Sequence, residues 1–199
     1  MSKVVVLNHL TLDGVMQAPG RPDEDVRGDF AHGGWARPRG DSVSEAFGGI
    51  AEVGGLLFGR RTYEDFFSFW PKQTNNPFTP VLNSTQKYVV STTLEEPLPW
   101  SNSTLLIGDA ADAVAKLKQQ LDKNLLMMGS GELIQSLMRR NLVDEYVLLI
   151  HPLVLGTGRR LFAQGSPTTA LQLIGTKTTM SGVLIATYRA AEPTAPQTT

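Results

Sequence analysis

The chain has 199 residues, of which 41% are hydrophobic and 19% are charged, with a net charge of −1 and no cysteine. This length and composition are typical of one globular domain with a sizeable core. The near-zero net charge argues against a nucleic-acid or anionic-lipid partner, and the absence of cysteine excludes disulfides, thiolate catalysis and cysteine-ligated metal.

The sequence shows no targeting or membrane-spanning segment. Residues 1–14 contain neither a long apolar run nor a signal cleavage pattern. No stretch approaches the ~20 apolar residues that a transmembrane helix needs. We therefore expect a cytoplasmic protein with no membrane partner.

The first elements in chain order are a strand, a long irregular segment and a helix. Residues 3–10 are rich in valine and leucine, which favour a strand. Residues 15–40 show no periodicity, and Trp35 within them either packs in the core or lines a pocket. Apolar residues at helical spacing predict a helix over 43–51, which Gly54-Gly55 is expected to end.

A junction of strand, glycine and helix follows. Residues 56–58 predict a short buried strand, and aromatic residues recur at helical spacing over 63–70. Thr62 and Asp65 resemble a capping box at the start of that helix. The Arg60-Arg61 pair is suited to phosphate because guanidinium groups bind it through two hydrogen bonds; the alternative is a pair of solvated surface charges.

The rest of the chain alternates strands with helices and then ends in strands alone. The predicted strands span 87–91, 105–107, 125–128, 144–151, 171–176 and 183–188, and helices are predicted to begin at Thr79-Pro80, after Asp109 and at the Gly129-Ser130-Gly131 turn. We expect one domain over 1–191. The polar, proline-containing residues 192–199 are predicted to be a disordered tail.

Residues 125–137 form a second junction of this kind. The apolar run 125–128 has no alternation, as in a strand covered on both faces, and the Gly129-Ser130-Gly131 turn separates it from a helix. The free N–H groups and the dipole at such a helix start attract phosphate. The alternative is a tight turn that only needs two glycines, because a short glycine motif is weak evidence alone.

This order of elements predicts an α/β fold, with a mostly parallel sheet and antiparallel strands at its carboxyl-terminal edge. In such sheets ligands bind beyond the carboxyl ends of the strands. Gly14, Arg60, Ser91 and Gly129 each follow a predicted strand, so we expect them to gather at one edge of the sheet.

Seven short motifs keep a common order and spacing across residues 3–190. They are TLDG at 11–14, FGRRTYE at 58–64, KYVVS at 87–91, GSGEL at 129–133, and VDEY, HPLVLG and LF within 143–162. The ordered set resembles the dihydrofolate reductase-like family. Within that family it is most similar to the reductase domain of bifunctional riboflavin-biosynthesis deaminase-reductases, although no deaminase zinc motif is present.

The resemblance implies a three-layer α/β/α fold and bound NADPH, which carries out hydride transfer while the protein orients it. It also implies that residues 13–17 lie beside the nicotinamide, that residues 59–62 contact the phosphates, that Ser91 and Thr92 lie near the adenosine and its 2′-phosphate, and that residues 129–133 hold the pyrophosphate. The implied cofactor residues are Gly14, Val15, Met16, Gln17, Gly59, Arg60, Arg61, Thr62, Ser91, Thr92, Gly129, Ser130, Gly131, Glu132 and Leu133. Asp13 is the candidate catalytic residue, either as a proton donor or only as a turn former.

One feature of dihydrofolate reductases has no clear match. Their first helix carries a carboxylate that orients the pterin, and the nearest residues in spacing, Asp41 and Glu45, are typical of an N-cap or a solvated first turn. Pterin reduction is therefore not expected. Of the three histidines, His9 and His151 on strands are predicted to be structural, and His32 in the loop is a minority candidate for a substrate contact. Their spacing is not that of a metal site.

We therefore expect an NADPH-dependent reductase of a small heterocyclic or carbonyl substrate, related to 5-amino-6-(5-phosphoribosylamino)uracil reductases. The alternative is a non-catalytic nucleotide-binding or regulatory protein that retains the cofactor cleft. Late strands with exposed edges predict a homodimer formed through residues 144–152 or through the final strands.

Overall fold

The hydrophobic runs of the sequence form the strands of one sheet in the computed structural model, which describes residues 2–47 and 53–191. The strands are β1 (Val4–Thr11), β2 (Val53–Gly59), β3 (Lys87–Val90), β4 (Ser103–Leu106), β5 (Asn124–Met128), β6 (Glu145–His151), β7 (Leu171–Thr178) and β8 (Leu184–Ala190). The α-helices are α1 (Asp41–Phe47), α2 (Arg60–Phe69), α3 (Phe78–Ser84), α4 (Ala110–Gln120) and α5 (Gly131–Met138).

The eight strands are ordered β4-β3-β2-β5-β1-β6-β8-β7 across the sheet. The first six in this order pair in parallel, whereas β8 pairs antiparallel with both β6 and β7. This is the predicted mixed sheet. The physical reason is connection length, because parallel neighbours need a long crossover whereas β7 and β8 are joined by a short turn.

Helices cover both faces of the sheet, which confirms the three-layer α/β/α fold. Along β1 the side chains alternate: Val4 and Val6 pack in a core with α4 and α5, and Val5 and Leu7 pack in a second core with α1, α2 and α3. Because β1 is buried on both faces, it appears in the sequence as a continuous apolar run.

The structure corrects the predicted role of Gly54-Gly55, which lies inside β2 and does not end a helix. A Cβ atom at Gly54 would lie 2.4 Å from the Cβ of Lys123, and one at Gly55 would lie 2.8 Å from the Tyr88 ring. Close approach of neighbouring side chains therefore requires both glycines. The predicted helix over 43–51 is observed as α1, and residues 48–52 lie outside the described part of the chain.

β6 is an interior strand, so the predicted dimer contact through residues 144–152 is wrong. It lies between β1 and β8, and both of its edges are hydrogen-bonded. Within residues 2–47 and 53–191, the strands at the sheet edges are β4 and β7. The predicted tail, residues 192–199, lies outside the described residues.

Candidate functional site

The carboxyl ends of the central parallel strands open into a cleft of about 1760 Å³. Arg60, Ser91 and Gly129, which follow β2, β3 and β5, line this cleft as the strand order predicts. Gly14, which follows β1, does not line it. The cleft is therefore formed mainly by the two glycine junctions and the loops that face them.

The two glycine junctions are joined by hydrogen bonds. The Gly129 N–H donates to Asn8 Oδ1 (2.7 Å), and the Ser130 N–H donates to Thr62 Oγ1 (2.9 Å). In the other direction, the Gly59 N–H of the first junction donates to Ser130 Oγ of the second (3.0 Å). The amides in the first turn of α5 (residues 131–133) precede its first intrahelical bond, from the Ile134 N–H to the Ser130 carbonyl (3.0 Å), so they are available to a ligand.

Thr62 therefore has a different role from the predicted capping box. α2 begins at Arg60 after Gly59, with no side chain capping it, and Asp65 pairs with Arg21. The Thr62 side chain instead packs beneath the turn of α5, where a Cβ atom at residue 129 would lie 3.1 Å from its Cγ2. With a φ of +64°, that position requires glycine.

Three arginines converge on one carboxylate at the start of α5. Arg159 lies 3.0 Å, Arg61 3.1 Å and Arg27 3.7 Å from Glu132 Oε1. The Glu132 side chain is 70% exposed, so this contact is solvated. Arg27 also pairs with Asp25 (2.7 Å), so three arginines face two carboxylates, and the remaining positive charge beside the helix amides is suited to an anion such as a phosphate.

Arg27 and Arg159 are site residues that the sequence interpretation missed. Arg159 follows Gly158 in the same Gly-Arg-Arg pattern as residues 59–61, and this repeat was a usable signal. Arg27 lies in the irregular segment 15–40, where no pattern distinguishes it from a surface charge. Arg60, in contrast, was predicted but pairs with Glu64 on its own helix (3.0 Å).

Gln17 holds the two loops that carry these arginines. Its Nε2 donates to the carbonyl of Arg27 (2.9 Å), and its Oε1 accepts from the N–H of Arg159 (3.0 Å). Trp35 donates from Nε1 to the Gln17 carbonyl (2.7 Å) and is buried, which decides its role as core. Met16 also lines the cleft, with its sulfur 2.8 Å from where a Cβ atom at Gly131 would lie.

The part of the cleft that α2 forms is aromatic and acidic. Phe66, Phe69 and Trp70 of α2 and the turn that follows it line this part. The Arg21 guanidinium lies 4.4 Å from the centre of the Phe69 ring and pairs with Asp65, and burial raises the pKa of the Asp65 carboxyl. This part therefore presents flat apolar surface and little free positive charge.

The predicted residues near the adenosine also line the cleft. The Ser91 hydroxyl accepts hydrogen bonds from the N–H groups of Thr93 and Leu94 (3.0 Å each), which fixes the turn after β3. Thr92 lies exposed at this turn. Residues 59–62 and 129–133 line the cleft as well, so most of the predicted cofactor residues are brought together.

Asp13, Gly14 and Val15 lie outside the cleft lining. The Asp13 carboxylate accepts hydrogen bonds from the Thr11 hydroxyl (2.6 Å) and from the Gly156 N–H (2.9 Å). Hydrogen bonding, first from Thr11, lowers the pKa of Asp13 to about 2, so this group is ionised at neutral pH. The geometry supports the turn-forming role for Asp13 and does not support proton donation.

The remaining candidates also have structural partners. Asp41 accepts hydrogen bonds from the N–H (3.1 Å) and hydroxyl (2.6 Å) of Ser181, and Glu45 pairs with Lys177, so neither carboxylate of α1 lines the cleft. His32 is exposed and packs against Phe30, away from the cleft. Its predicted contact with substrate is therefore not supported.

Across residues 2–47 and 53–191, no group of three or more histidines and carboxylates is placed to hold a metal ion. No helix in that part of the chain has the length and apolar character needed to cross a bilayer.

Two curated proteins of Bacillus subtilis (strain 168) are similar to this chain, and both are described as uncharacterized. YyaP is 32% identical over 144 residues, which cover 70% of this chain and 75% of YyaP. YwjB is 30% identical over 123 residues, which cover 61% of this chain and 66% of YwjB.

Solved structures share the fold at low sequence identity. A candidate riboflavin biosynthesis protein from Shewanella sp. PV-4 superposes with a TM-score of 0.66 at 22% identity, covering 96% of this chain and all of that one. Dihydrofolate reductase from Enterococcus faecalis, complexed with NADP(H) and RAB-propyl, superposes with a TM-score of 0.61 at 11% identity, covering 96% and 97%. The sequence profile of the RibD C-terminal domain matches residues 2–185. The chain therefore belongs to the RibD C-terminal domain family and has a dihydrofolate reductase-like fold.

Proposed function

We propose that this protein is an NADPH-dependent reductase that transfers a hydride to a small heterocyclic or carbonyl substrate. The observation that carries the proposal is the convergence of three arginines on the first turn of α5, at the mouth of a cleft with an aromatic wall. A dinucleotide with an extra phosphate matches the basic part, and a flat ring matches the aromatic part.

The residues present fit such a cofactor. Its phosphates would be held by the amides of residues 131–133 and by Arg27, Arg61 and Arg159, with Ser91 and Thr92 on the adenosine side. When bound, NADPH supplies the hydride, and the protein binds it and excludes water. Of the residues assigned to the nicotinamide, Met16 and Gln17 line the cleft, whereas Gly14 and Val15 do not.

A specific observation favours the second candidate, a non-catalytic nucleotide-binding protein. Neither Asp13 nor the α1 carboxylates Asp41 and Glu45 line the cleft, so none of the predicted acids is placed to donate a proton. Glu24 lines the cleft, and burial raises the pKa of its carboxyl, which makes it the acid to test first. Steady oxidation of NADPH in the presence of any substrate would reject the non-catalytic alternative.

The test of the cofactor is calorimetric titration with NADPH, NADH and FMN. We expect NADPH to bind most tightly, and an Arg61→Ala, Arg159→Ala double variant to bind it roughly 100-fold more weakly, because each charge-assisted contact contributes about 1.4 kcal/mol. Arg140→Ala is the matched control, since Arg140 pairs with Asp112 outside the cleft. Failure of NADPH to bind the wild type would overturn the reductase proposal.

We also propose a homodimer that forms through β7. This edge strand exposes Leu173 and Ile174, and its outer edge has no neighbouring strand among the described residues. A monomeric mass at micromolar concentration would contradict this proposal.

A further inference from the structure

Two histidines form a pair where the carboxyl end of β1 meets β6. His9 Nδ1 and His151 Nε2 are 2.8 Å apart, which is a hydrogen-bond distance. His151 is fully buried, whereas His9 is partly exposed and lines the cleft. Because His9 Nδ1 is used by His151, Nε2 is the ring nitrogen that remains for a ligand.

Burial of His151 determines which nitrogen carries each proton. His151 Nδ1 is buried and has no hydrogen-bond partner among the described residues. A buried N–H without an acceptor is rarer and more costly than a buried lone pair without a donor. The hydrogen of His151 is therefore on Nε2, which donates to His9 Nδ1. Neutral His9 must then carry its own hydrogen on Nε2.

The surroundings keep this pair neutral and rigid. Burial, and then the proximity of His151, lower the pKa of His9 to about 3. Burial, and then Arg39, lower the pKa of His151 to about 4, against an opposing effect of Asp41. Trp35 packs edge-on against both rings, with centroid separations of 6.4 Å and 5.2 Å. His9 thus presents a fixed and uncharged donor.

We propose that His9 binds the substrate, donating a hydrogen bond from Nε2–H to a carbonyl oxygen of a flat ring, and that His151 is its positioning residue. The proposal rests on the proposed reductase function. An uncharged donor competes poorly with the arginines for phosphate, so it suits a neutral acceptor. The aromatic residues Phe66 and Trp70, which line the same cleft, suit the faces of such a ring.

The test is a nuclear magnetic resonance titration of protein labelled with ¹⁵N at histidine. The probes are uracil and 2-pyridone, which carry ring carbonyls, with benzene as the matched ring without an acceptor. We expect His9 to be protonated at Nε2 in the free protein, and both carbonyl probes, but not benzene, to shift this Nε2–H signal. A His9 protonated at Nδ1, or the absence of any shift with either carbonyl probe, would overturn the proposal.

Matched variants separate ligand contact from structural support. In His9→Gln the amide reaches the position of Nε2, whereas in His9→Asn it reaches only the position of Nδ1. We expect His9→Asn to bind uracil about ten-fold more weakly and His9→Gln to stay within about three-fold of wild type. Likewise, His151→Phe should lose the Nε2 tautomer of His9, and His151→Gln should restore it. Equal losses in the two His9 variants would contradict direct contact.

A parallel titration with NADPH keeps the two proposals distinguishable. The ring probes are titrated with and without NADPH, and its affinity is measured for every variant. If NADPH binds with unchanged affinity and the ring probes do not shift the His9 signal, only the role of His9 is overturned. A shift of His9 caused by nicotinamide alone would reassign this donor to the cofactor, which also overturns it. Absence of NADPH binding defeats the reductase proposal, while the tautomer of His9 is still measured.

Discussion

Charged side chains cluster at both ends of the parallel sheet, but those at the amino end are more buried than those at the carboxyl end. At the amino end, Lys118 Nζ donates to Asp144 Oδ2 (2.6 Å), and the same oxygen accepts the Val4 N–H (2.7 Å). These side chains are 11% and 35% exposed. At the carboxyl end, Arg61 and Glu132 are 52% and 70% exposed, and Arg27, Arg61 and Arg159 contact Glu132, although Arg27 also pairs with Asp25 (2.7 Å).

This difference separates a structural charge cluster from one that is suited to binding. Charges that are largely removed from water must be paired, so Lys118 and Asp144 hold each other in one geometry and cannot take up another partner. The solvated Arg61 and Arg159 share the Glu132 carboxylate, so they lose little when a ligand replaces it. The carboxyl end can therefore exchange partners, whereas the amino end cannot.

The largest expected effect comes from breaking the pair at the amino end. Asp144→Ala should lower the free energy of unfolding by about 2 kcal/mol, because the Val4 N–H loses its acceptor and the mostly buried Lys118 keeps only the Leu142 carbonyl (3.2 Å). Urea denaturation measures this loss, and NADPH affinity should not change. Asp112→Ala, which removes an exposed pair with Arg140, is the control and should cost less than about 1 kcal/mol. Equal losses of stability in Asp144→Ala and Asp112→Ala would show that the Lys118–Asp144 pair is no more structural than an exposed pair.

At the carboxyl end we expect the reverse pattern. Arg61→Ala should weaken NADPH binding about ten-fold, because one charge-assisted contact to phosphate is lost. Its free energy of unfolding should stay within about 0.5 kcal/mol of wild type, since the side chain is solvated. Calorimetry and urea denaturation check the two quantities. A large loss of stability with unchanged affinity would show that Arg61 is structural.

The histidine pair connects the cleft to stability through pH. Both pKa values are lowered from 6.5 on folding, so between pH 6.5 and about 4 the unfolded chain binds more protons than the native one. Stability should therefore fall with decreasing pH in this window, by about 1.4 kcal/mol per pH unit for each histidine. A His9→Asn, His151→Gln double variant should show a flatter profile by urea denaturation. Identical profiles would contradict the neutral pair.

The smallest expected effect is an increase in NADPH affinity. Glu132→Gln removes the carboxylate that occupies the arginines, so NADPH should bind about three-fold more tightly. Calorimetry at low and moderate salt checks this, and the gain should shrink as salt increases. Asp112→Asn is the matched control, because its partner Arg140 lies outside the cleft. Weaker binding in Glu132→Gln would show that the side chain of Glu132 itself contacts the ligand.

Sequence patterns were sufficient for the order of the elements and for the edge of the sheet where the cleft lies. The apolar runs of β1, β2, β3 and β5 and the glycines that follow β2 and β5 are local features, and local sequence encodes them well. The same reasoning failed at Gly54-Gly55 because the need for glycine arises from Lys123 and Tyr88, which are distant in the chain.

The details of the site depend on long-range contacts. Thr62 looked like part of a helix cap, but it supports the Ser130 amide 68 positions later in the chain. Asp13 looked like a candidate acid, but Gly156 and Leu155 hold its carboxylate in a loop. The residues that flank Thr62 do not reveal Ser130 as its partner, and those that flank Asp13 do not reveal Leu155 and Gly156.

Hydrophobic periodicity, glycines and the ordered family motifs thus specify an α/β domain with its site at the carboxyl ends of parallel strands. They do so because strands, turns and helix starts follow from neighbouring residues. The convergence of Arg27, Arg61 and Arg159 on Glu132, and the pairing of His9 with His151, arise only when the chain folds. Charge and hydrogen-bond geometry act across space, and no spacing along the chain encodes them.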